Sequence, residues 1–281
     1  MIPILDHMVF NVRYDMDAAE AQFTALGFHL TPRGYHTLGS INHLMILGSD
    51  YLELIGLPQG GEGRAELAAA PVGLNGLVFK SANVDHTYAH LKQLGWDGEP
   101  PKAFSRPVAV AGTTPGTQVE TAARFRTVAV RADVFPAGRV YFCEHGTPEL
   151  VWRDEWRGHA NSCSATRAFI MVAEDVAGEA AKYSALLDLP VEHAGAGQCH
   201  IDLNAAVLEI ISPGIYAERF NGIGQHPLGP QCRFAALALK VSDRPALEGV
   251  LAKRGSGVQV LDTGGTVIVW LKTFNALFEL Q

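Results

Sequence analysis

The sequence predicts an α+β fold of four βαβββ modules in two pairs, with curved mixed sheets and the helices outside. Three observations carry this. The chain echoes itself about 160 residues apart, where Asp15, Ala21, Phe23, Ala25 and Leu26 align without a gap with Asp175, Ala181, Tyr183, Ala185 and Leu186, and a fixed-period echo marks duplicated units. Further along, Asn42-His43-Leu44 and Tyr51-Leu52-Glu53-Leu54-Ile55 are echoed by Cys199-His200-Ile201 and Val207-Leu208-Glu209-Ile210-Ile211. Finally, each unit ends in a strand-like run holding a glutamate: Glu53, Glu144, Glu209 and Glu279.

The first unit opens with a strand over 4–12. Asp15 to Leu26 follows as a short helix, with Asp15 or Asp17 as its cap and Gly27 as its stop. Strands are expected at 28–31, 41–47 and 51–55, the last two joined by a Gly-Ser-Asp hairpin at Gly48 to Asp50. The second unit offers a strand at 77–81, a helix over 85–94 ended by Gly95, and strands at 125–131 and 139–143. The stretch 100–118, rich in Pro, Gly and Thr, reads as irregular or as edge strands. The segment 146–163, with Trp152, Arg153 and Trp156, reads as the connection that fastens the halves. The third unit (165–212) repeats the first. The fourth (234–281) has a strand at 234–241, a helix at 245–254, and strands near Val258, at 266–271 and at 276–280. Residues 1–158 and 159–281 are accordingly expected to form two domains of two modules each.

Composition narrows the function classes. An apolar share of 48% in 281 residues supports a sizeable core. With net charge −7 and no Lys/Arg run, neither nucleic acid nor a membrane surface is an expected partner. No stretch approaches the ~20 apolar residues of a membrane span, and the start lacks a secretion-signal pattern. Cys143, Cys163, Cys199 and Cys232 show no CxxC spacing and read as buried thiols. A cytoplasmic protein with a small-molecule substrate is the expectation.

A glutamate among apolar strand residues needs a metal, an arginine, a hydrogen-bond set or an outward orientation, because an unpaired buried carboxylate costs several kcal/mol. Neighbours on a strand point oppositely, so if Leu52 and Leu54 pack under a helix, Glu53 faces the concave side. His7, early in the first strand, is then placed to meet it, and imidazole plus carboxylate suits a divalent metal such as Zn, Fe, Mn, Ni or Co. The other reading of His7 is a hydrogen-bonded core histidine. In the third unit the residue matching His7 is Arg167, which would neutralise Glu209 and close that site with an ion pair. His43 and His200 match each other in the repeat, which favours a structural role.

With Leu5-Asp6-His7-Met8-Val9, His36 followed by Gly39-Ser40-Ile41-Asn42, Tyr51-Leu52-Glu53-Leu54 and Phe142-Cys143-Glu144-His145 in this order, the chain resembles the glyoxalase-like family of the vicinal oxygen chelate superfamily. The resemblance implies paired βαβββ modules around a cleft. It implies metal ligands His7 and Glu53 from the first module and Glu144 from the second, with His145 as the substitute for Glu144. Adjacent strand residues face the same way only at a bulge. The fourth ligand place, near Leu77, holds no ligand type. Glu53 or Glu144 would move a proton. His36, Ser40 and Asn42 match the family's His-then-Gly stretch and would line the cleft and contact substrate or brace a loop. Of Arg139 and Tyr141, on the strand of Glu144, one would face the cleft, with Tyr141 taken as the substrate contact. The implied function is a metal-dependent lyase, isomerase or dioxygenase that chelates two substrate oxygens. The alternatives are a metal-free protein that sequesters a small molecule, and a second half that is structural or forms a homodimer.

Overall fold

A computed structural model describes residues 5–61, 64–111, 118–224 and 232–281. The first module comprises β1 (Leu5–Arg13), α1 (Met16–Ala25), β2 (Gly34–Tyr35), β3 (Ile41–Ile46) and β4 (Tyr51–Gly56). A short helix, α2 (Ala65–Ala69), leads to the second: β5 (Gly73–Lys80), α3 (Val84–Leu94), β6 (Lys102–Ala111), β7 (Gln118–Ala129) and β8 (Arg139–His145). The third comprises β9 (Cys163–Ala173), α4 (Val176–Leu187), β10 (Glu192–Gly195), β11 (Gln198–Asp202) and β12 (Val207–Ile211). After α5 (Pro213–Phe220), the fourth has β13 (Cys232–Val241), α6 (Arg244–Leu251), β14 (Val258–Asp262), β15 (Val267–Leu271) and β16 (Ala276–Leu280).

Two mixed eight-stranded sheets result, ordered β2-β3-β4-β1-β5-β8-β7-β6 and β10-β11-β12-β9-β13-β16-β15-β14. The order is the same in both. Each closing strand runs parallel to its module's opening strand, and the two opening strands of a pair run antiparallel at the sheet centre. The edges of the first sheet are tied together. The Thr37 N–H donates to the Ser105 carbonyl at 3.0 Å, and the Ser105 N–H donates to Thr37 Oγ1 at 3.2 Å. The first sheet therefore curls nearly into a barrel.

Local chemistry explains the boundaries. Asn83 caps α3 by accepting from the Asp85 and His86 N–H groups, and Gly95, at φ +69°, ends it in the left-handed conformation that glycine adopts without strain. Asp175 caps α4 through the Gly178 N–H at 2.9 Å. The expected cap of α1 is not made: Asp15 makes no side-chain bond to the helix, and Asp17 pairs with Arg33 at 2.7 Å. Residues 28–31 are not a strand. There the Thr31 N–H donates to the Leu44 carbonyl at 2.8 Å, but the Leu44 N–H goes to the Thr31 hydroxyl at 2.9 Å and not to its backbone, and strand pairing begins only at Gly34. Most of the stretch read as irregular or as edge strands is the long strand β6, with 112–117 outside the described residues.

The outer faces of both sheets share one core with the helices. Phe10 on β1 lies 5.7 Å from Phe278 on β16, which also contacts Phe23 and Phe28. The connector fastens the halves through His159 and Asn161. His159 Nε2 donates to the Ile46 carbonyl and Nδ1 accepts the His29 N–H (both 2.9 Å), while the Asn161 amide donates to the Leu26 carbonyl at 2.8 Å. Trp152 and Trp156 were expected in this role. They pack instead on the inner side of the first sheet, with Trp152 against Tyr51 and His145. All four cysteines are buried and free. Among the described residues, no helix is long and apolar enough to cross a membrane.

One buried polar contact also joins the halves: the Thr166 hydroxyl donates to Asp50 Oδ1 at 2.6 Å. Burial pushes the Asp50 carboxyl up to about 6, against the opposing effects of Thr166 and Lys80. The folded state therefore holds its proton more tightly than the unfolded state, and stability falls as pH rises from 3.8 to about 6. Asp50→Asn keeps the acceptor and removes the charge. Relative to wild type its stability in urea should rise across that window, by at most about 3 kcal/mol, and then level off. A difference that does not change with pH would contradict this.

Candidate active site

The site is built on the inner faces of β1, β4 and β8. On β4, Leu52 and Leu54 enter the outer core, so Tyr51, Glu53 and Ile55 face inward. On β8, Val140 and Phe142 enter the outer core, so Tyr141 and Cys143 face inward. Inside the first sheet lies a cavity of about 570 Å³. Its lining includes His7, His36, Asn42, Glu53, Arg106 and Tyr141, set among apolar residues such as Leu44, Ile55, Phe104 and Phe125.

A bulge in β1 sets the orientation of His7. Leu5 pairs with Phe79 and His7 with Val78, which leaves Asp6 as the extra residue. Leu5 turns to the outer core, while Asp6 and His7 both lie toward the inner side, as a bulge permits. Asp6 is 0% exposed and sits between two imidazoles: His7 Nδ1 at 3.1 Å and His145 Nε2 at 2.8 and 3.0 Å. Burial raises the Asp6 pKa, but the hydrogen bonds from His145 and His7 outweigh it and hold the carboxyl well below its usual range. With the His7 Nδ1–H given to Asp6, Nε2 is left as the acceptor on the cavity wall. Tyr141 Oη lies 3.1 Å from Nε2 and Glu53 Oε2 lies 3.5 Å from it, while the ring stacks on Tyr51 at 4.5 Å.

Glu53 is held from its other side, where the Asn42 amide donates to Oε1 at 2.7 Å. His36 Nδ1 bonds Ser40 Oγ at 2.8 Å, and its ring meets Phe104 edge-on. Burial pushes the His36 pKa down to about 4, with Arg106 and Arg64 acting the same way and Glu53 opposing, so this imidazole is neutral at pH 7. Burial, then the Glu53 charge, raises the Tyr141 pKa and keeps the phenol protonated.

The structure thus brings His7, Glu53, Asn42, Tyr141 and His36 to one cavity. It does not bring Glu144 there. That carboxylate lies on the helix side of β8, where Oε2 accepts the Val84 N–H at the start of α3 (2.8 Å) and lies 3.7 Å from Arg126. A carboxylate at a helix N-terminus is stabilised by the exposed N–H groups. Register shows why the expectation failed. Inward-facing Val9 pairs with Glu53, and inward-facing Val78 pairs with Tyr141, so Tyr141 is the counterpart of Glu53. His145 is turned inward but lies behind His7, on Asp6. The donor atoms of Asp6, Cys143 and His145 lie within 4.8 Å of one another, a buried group able to hold a metal.

The second half has the expected ion pair, formed by a different arginine. Arg167 is exposed. Ile170 pairs with Glu209 as Val9 pairs with Glu53, so the residue at the place of His7 is Ala168. The register offset comes from a second irregularity in β1, between Asn11 and Arg13. Glu209 is instead bound by Arg219 of α5 at 2.8 Å, and the same guanidinium binds Glu279 at 2.5 Å. Tyr216 and Phe220 of α5 fill the concave face beside Ala168, Ala236 and Ala238. His43 and His200 also differ in setting. His43 is buried and bonds the Thr31 carbonyl at 2.7 Å, whereas His200 lies 3.2 Å from Glu209.

A family model described as a glyoxalase-like domain matches residues 5–187, well over half of the chain. The chain belongs to this family. Solved structures similar to this glyoxalase-like protein include a hypothetical protein from Staphylococcus aureus (10% identity, TM-score 0.64, covering 100% of this chain and 99% of that one). A mutant of 4-hydroxymandelate synthase from Streptomyces coelicolor shows 12% identity and a TM-score of 0.53, with 100% of this chain and 92% of that one covered. A fusion protein of a xylose isomerase-like TIM barrel with 4-hydroxyphenylpyruvate dioxygenase gives 11% identity and a TM-score of 0.58; this chain is wholly covered and spans 49% of that protein. These likenesses support the vicinal oxygen chelate fold. No curated protein matches the sequence.

The superfamily includes metal-dependent enzymes, and part of the donor set in the cavity fits that chemistry. His7 Nε2 and Glu53 Oε2, 3.5 Å apart on one wall, fit two ligands of an open site. Tyr141 supplies a neutral oxygen where a second carboxylate was expected. Cys143, whose thiol is pushed well up by burial and then by the nearby carboxylates, is the less suited donor.

Asp6, Arg106 and Arg219 escaped the sequence reading. Asp6→Asn should leave both imidazoles without their anionic partner and cost ~1–3 kcal/mol at pH 7. The sign is that of a depressed carboxyl: the contribution is full above 3.8 and shrinks as pH falls below it. Urea unfolding of both proteins at pH 7 and pH 3 checks this, and equal stability at pH 7 would contradict it.

Proposed function

We propose that this glyoxalase-like protein is a small-molecule enzyme of the lyase, isomerase or dioxygenase type. Its active site would be the cavity inside the first sheet, with a divalent cation (Zn, Fe, Mn, Ni or Co) held by His7 and Glu53. The observation that carries the proposal is the juxtaposition of two lone-pair donors, His7 Nε2 and Glu53 Oε2, 3.5 Å apart on the cavity wall, with Asp6 on the far nitrogen of the same imidazole. Metal-bound histidines regularly give their second N–H to a carboxylate, which fixes the tautomer and raises the ring's basicity. When bound, the cation would act as a Lewis acid toward two substrate oxygens and stabilise the negative charge that develops on them.

The chain's own residues do the rest. Asp6 fixes the imidazole, and Asn42 leaves Glu53 Oε2 free while holding Oε1. Glu53 is the group placed to accept and return a substrate proton. The Tyr141 hydroxyl is a neutral donor for a substrate oxygen. Neutral His36 and the apolar walls position the substrate and keep water out.

One observation favours the second reading, metal-free sequestration. The second module supplies no ionisable ligand from its opening strand, and its closing strand presents Tyr141. Metal analysis of protein purified without chelators separates the two. Wild type should carry about one equivalent, lost in His7→Ala and Glu53→Gln, while Asp6→Asn should bind ~10–100-fold more weakly. Metal-free wild type that still takes up small apolar ligands would support sequestration and overturn the enzyme reading.

A further inference from the structure

We propose that the same cavity takes an anionic small molecule whose carboxylate or phosphate seats on Arg106, with Arg139 as a second cationic wall residue. This rests on reading the cavity as a small-molecule site, and it adds the charge class of the ligand.

Among the described residues five cationic side chains line the cavity, and three are paired: Arg64 with Glu66, Lys102 with Glu99, and Arg131 with Asp133. Arg106 and Arg139 remain. Arg106, on β6, is 3% exposed, yet its Nε and Nη2 have no hydrogen-bond partner and it forms no ion pair among the described residues. Among the described residues Arg139 has one weak bond, to Asn75 Oδ1 at 3.4 Å, and a buried Nη2 with no partner. Against these two guanidinium groups stands Glu53, which already accepts from Asn42.

A buried charge without a partner is strongly destabilising, so a protein that keeps one has a use for it. The guanidinium fork matches the two oxygens of a carboxylate or phosphate. The backbone makes room for it: a Cβ at Gly34 would come within 3.0 Å of Arg106 Cδ and Nη1 and would collide with Asn42 Oδ1. Phe104, Phe125, Leu44 and Ile55 make the remaining wall apolar. The matching ligand is an organic oxyacid with an apolar body, its anionic end at Arg106 and its reacting oxygens at the His7–Glu53 wall.

Isothermal titration calorimetry with three probes of one shape tests this: 3-phenylpropanoate, 2-phenylethyl phosphate and neutral 3-phenylpropanamide. Wild type, Arg106→Met and Arg106→Lys are titrated as purified and after dialysis against EDTA. Wild type should bind an anion at least about tenfold more tightly than the amide, and whichever anion binds tighter identifies the headgroup. That preference should vanish in Arg106→Met and shrink in Arg106→Lys, which keeps the charge and loses the fork, with amide affinity unchanged. Equal binding of anion and amide, no binding of either anion, or a preference that survives in Arg106→Met would overturn the proposal. A preference abolished by EDTA and untouched by Arg106→Met would put the anion on a metal and overturn it as well. Metal-free protein that still selects the anion through Arg106 would uphold it and sink the metal reading alone.

Discussion

The candidate site depends on one buried carboxylate. Asp6 has no exposure and is tolerable as an anion only because two imidazole N–H groups point at it. The bulge in β1 makes this possible by turning two consecutive side chains to one side of a strand that otherwise alternates. Without the bulge, Asp6 would enter the outer core among Met8 and Phe10, and His7 would lose the partner that fixes its tautomer. The carboxylate also links the strands: β1 carries His7, β8 carries His145, and Tyr141 on β8 reaches the other His7 nitrogen.

Duplication gives a comparison within the molecule. Both sheets have the same strand order, and glutamate is turned inward in each (Glu53 in the first, Glu209 and Glu279 in the second), yet the two concave faces meet the resulting charge differently. In the second half, small residues leave room for α5, and Arg219 binds Glu209 and Glu279 together. In the first half, the short helix α2 contributes Leu67 and supplies no such arginine, while Arg106 lies near Glu53 without pairing with it. One half therefore ties both of its inward carboxylates to a guanidinium of its own, and the other keeps polar groups of both signs facing a cavity. This asymmetry separates a concave face filled by α5 from one that lines a cavity.

Much of this was legible in the sequence because it rests on periodicity. The repeat gave the module count, and the alternation in β4 correctly turned Glu53 inward beside His7. The failures have physical causes. A repeat offset is constant only where no bulge intervenes, and the irregularity near Arg13 moved the His7 counterpart from Arg167 to Ala168. The family resemblance points to Glu144 as the ligand of the second module's last strand, although Val140 and Phe142 on that strand assign its face to the outer core. Asp6 is visible in the sequence only as part of a motif; a carboxylate that close to His7 becomes its partner only through a bulge, which leaves no mark in composition. Arg106 lies in the stretch that reads as irregular or as edge strands; β6 is the edge strand, and the period of Phe104, Arg106 and Val108 that turns Arg106 inward goes unread while the irregular alternative stays open.

The central claim is that Asp6 holds His7 with Nε2 directed at the cavity wall. Long-range ¹H–¹⁵N correlation spectra at pH 8, with His7 assigned by substitution, test it most directly. The account predicts a single slowly exchanging tautomer protonated at Nδ1, converted to a mixture or to the opposite tautomer in Asp6→Asn. An imidazole protonated at Nε2 in the wild-type protein, or one indifferent to the loss of Asp6, would contradict it.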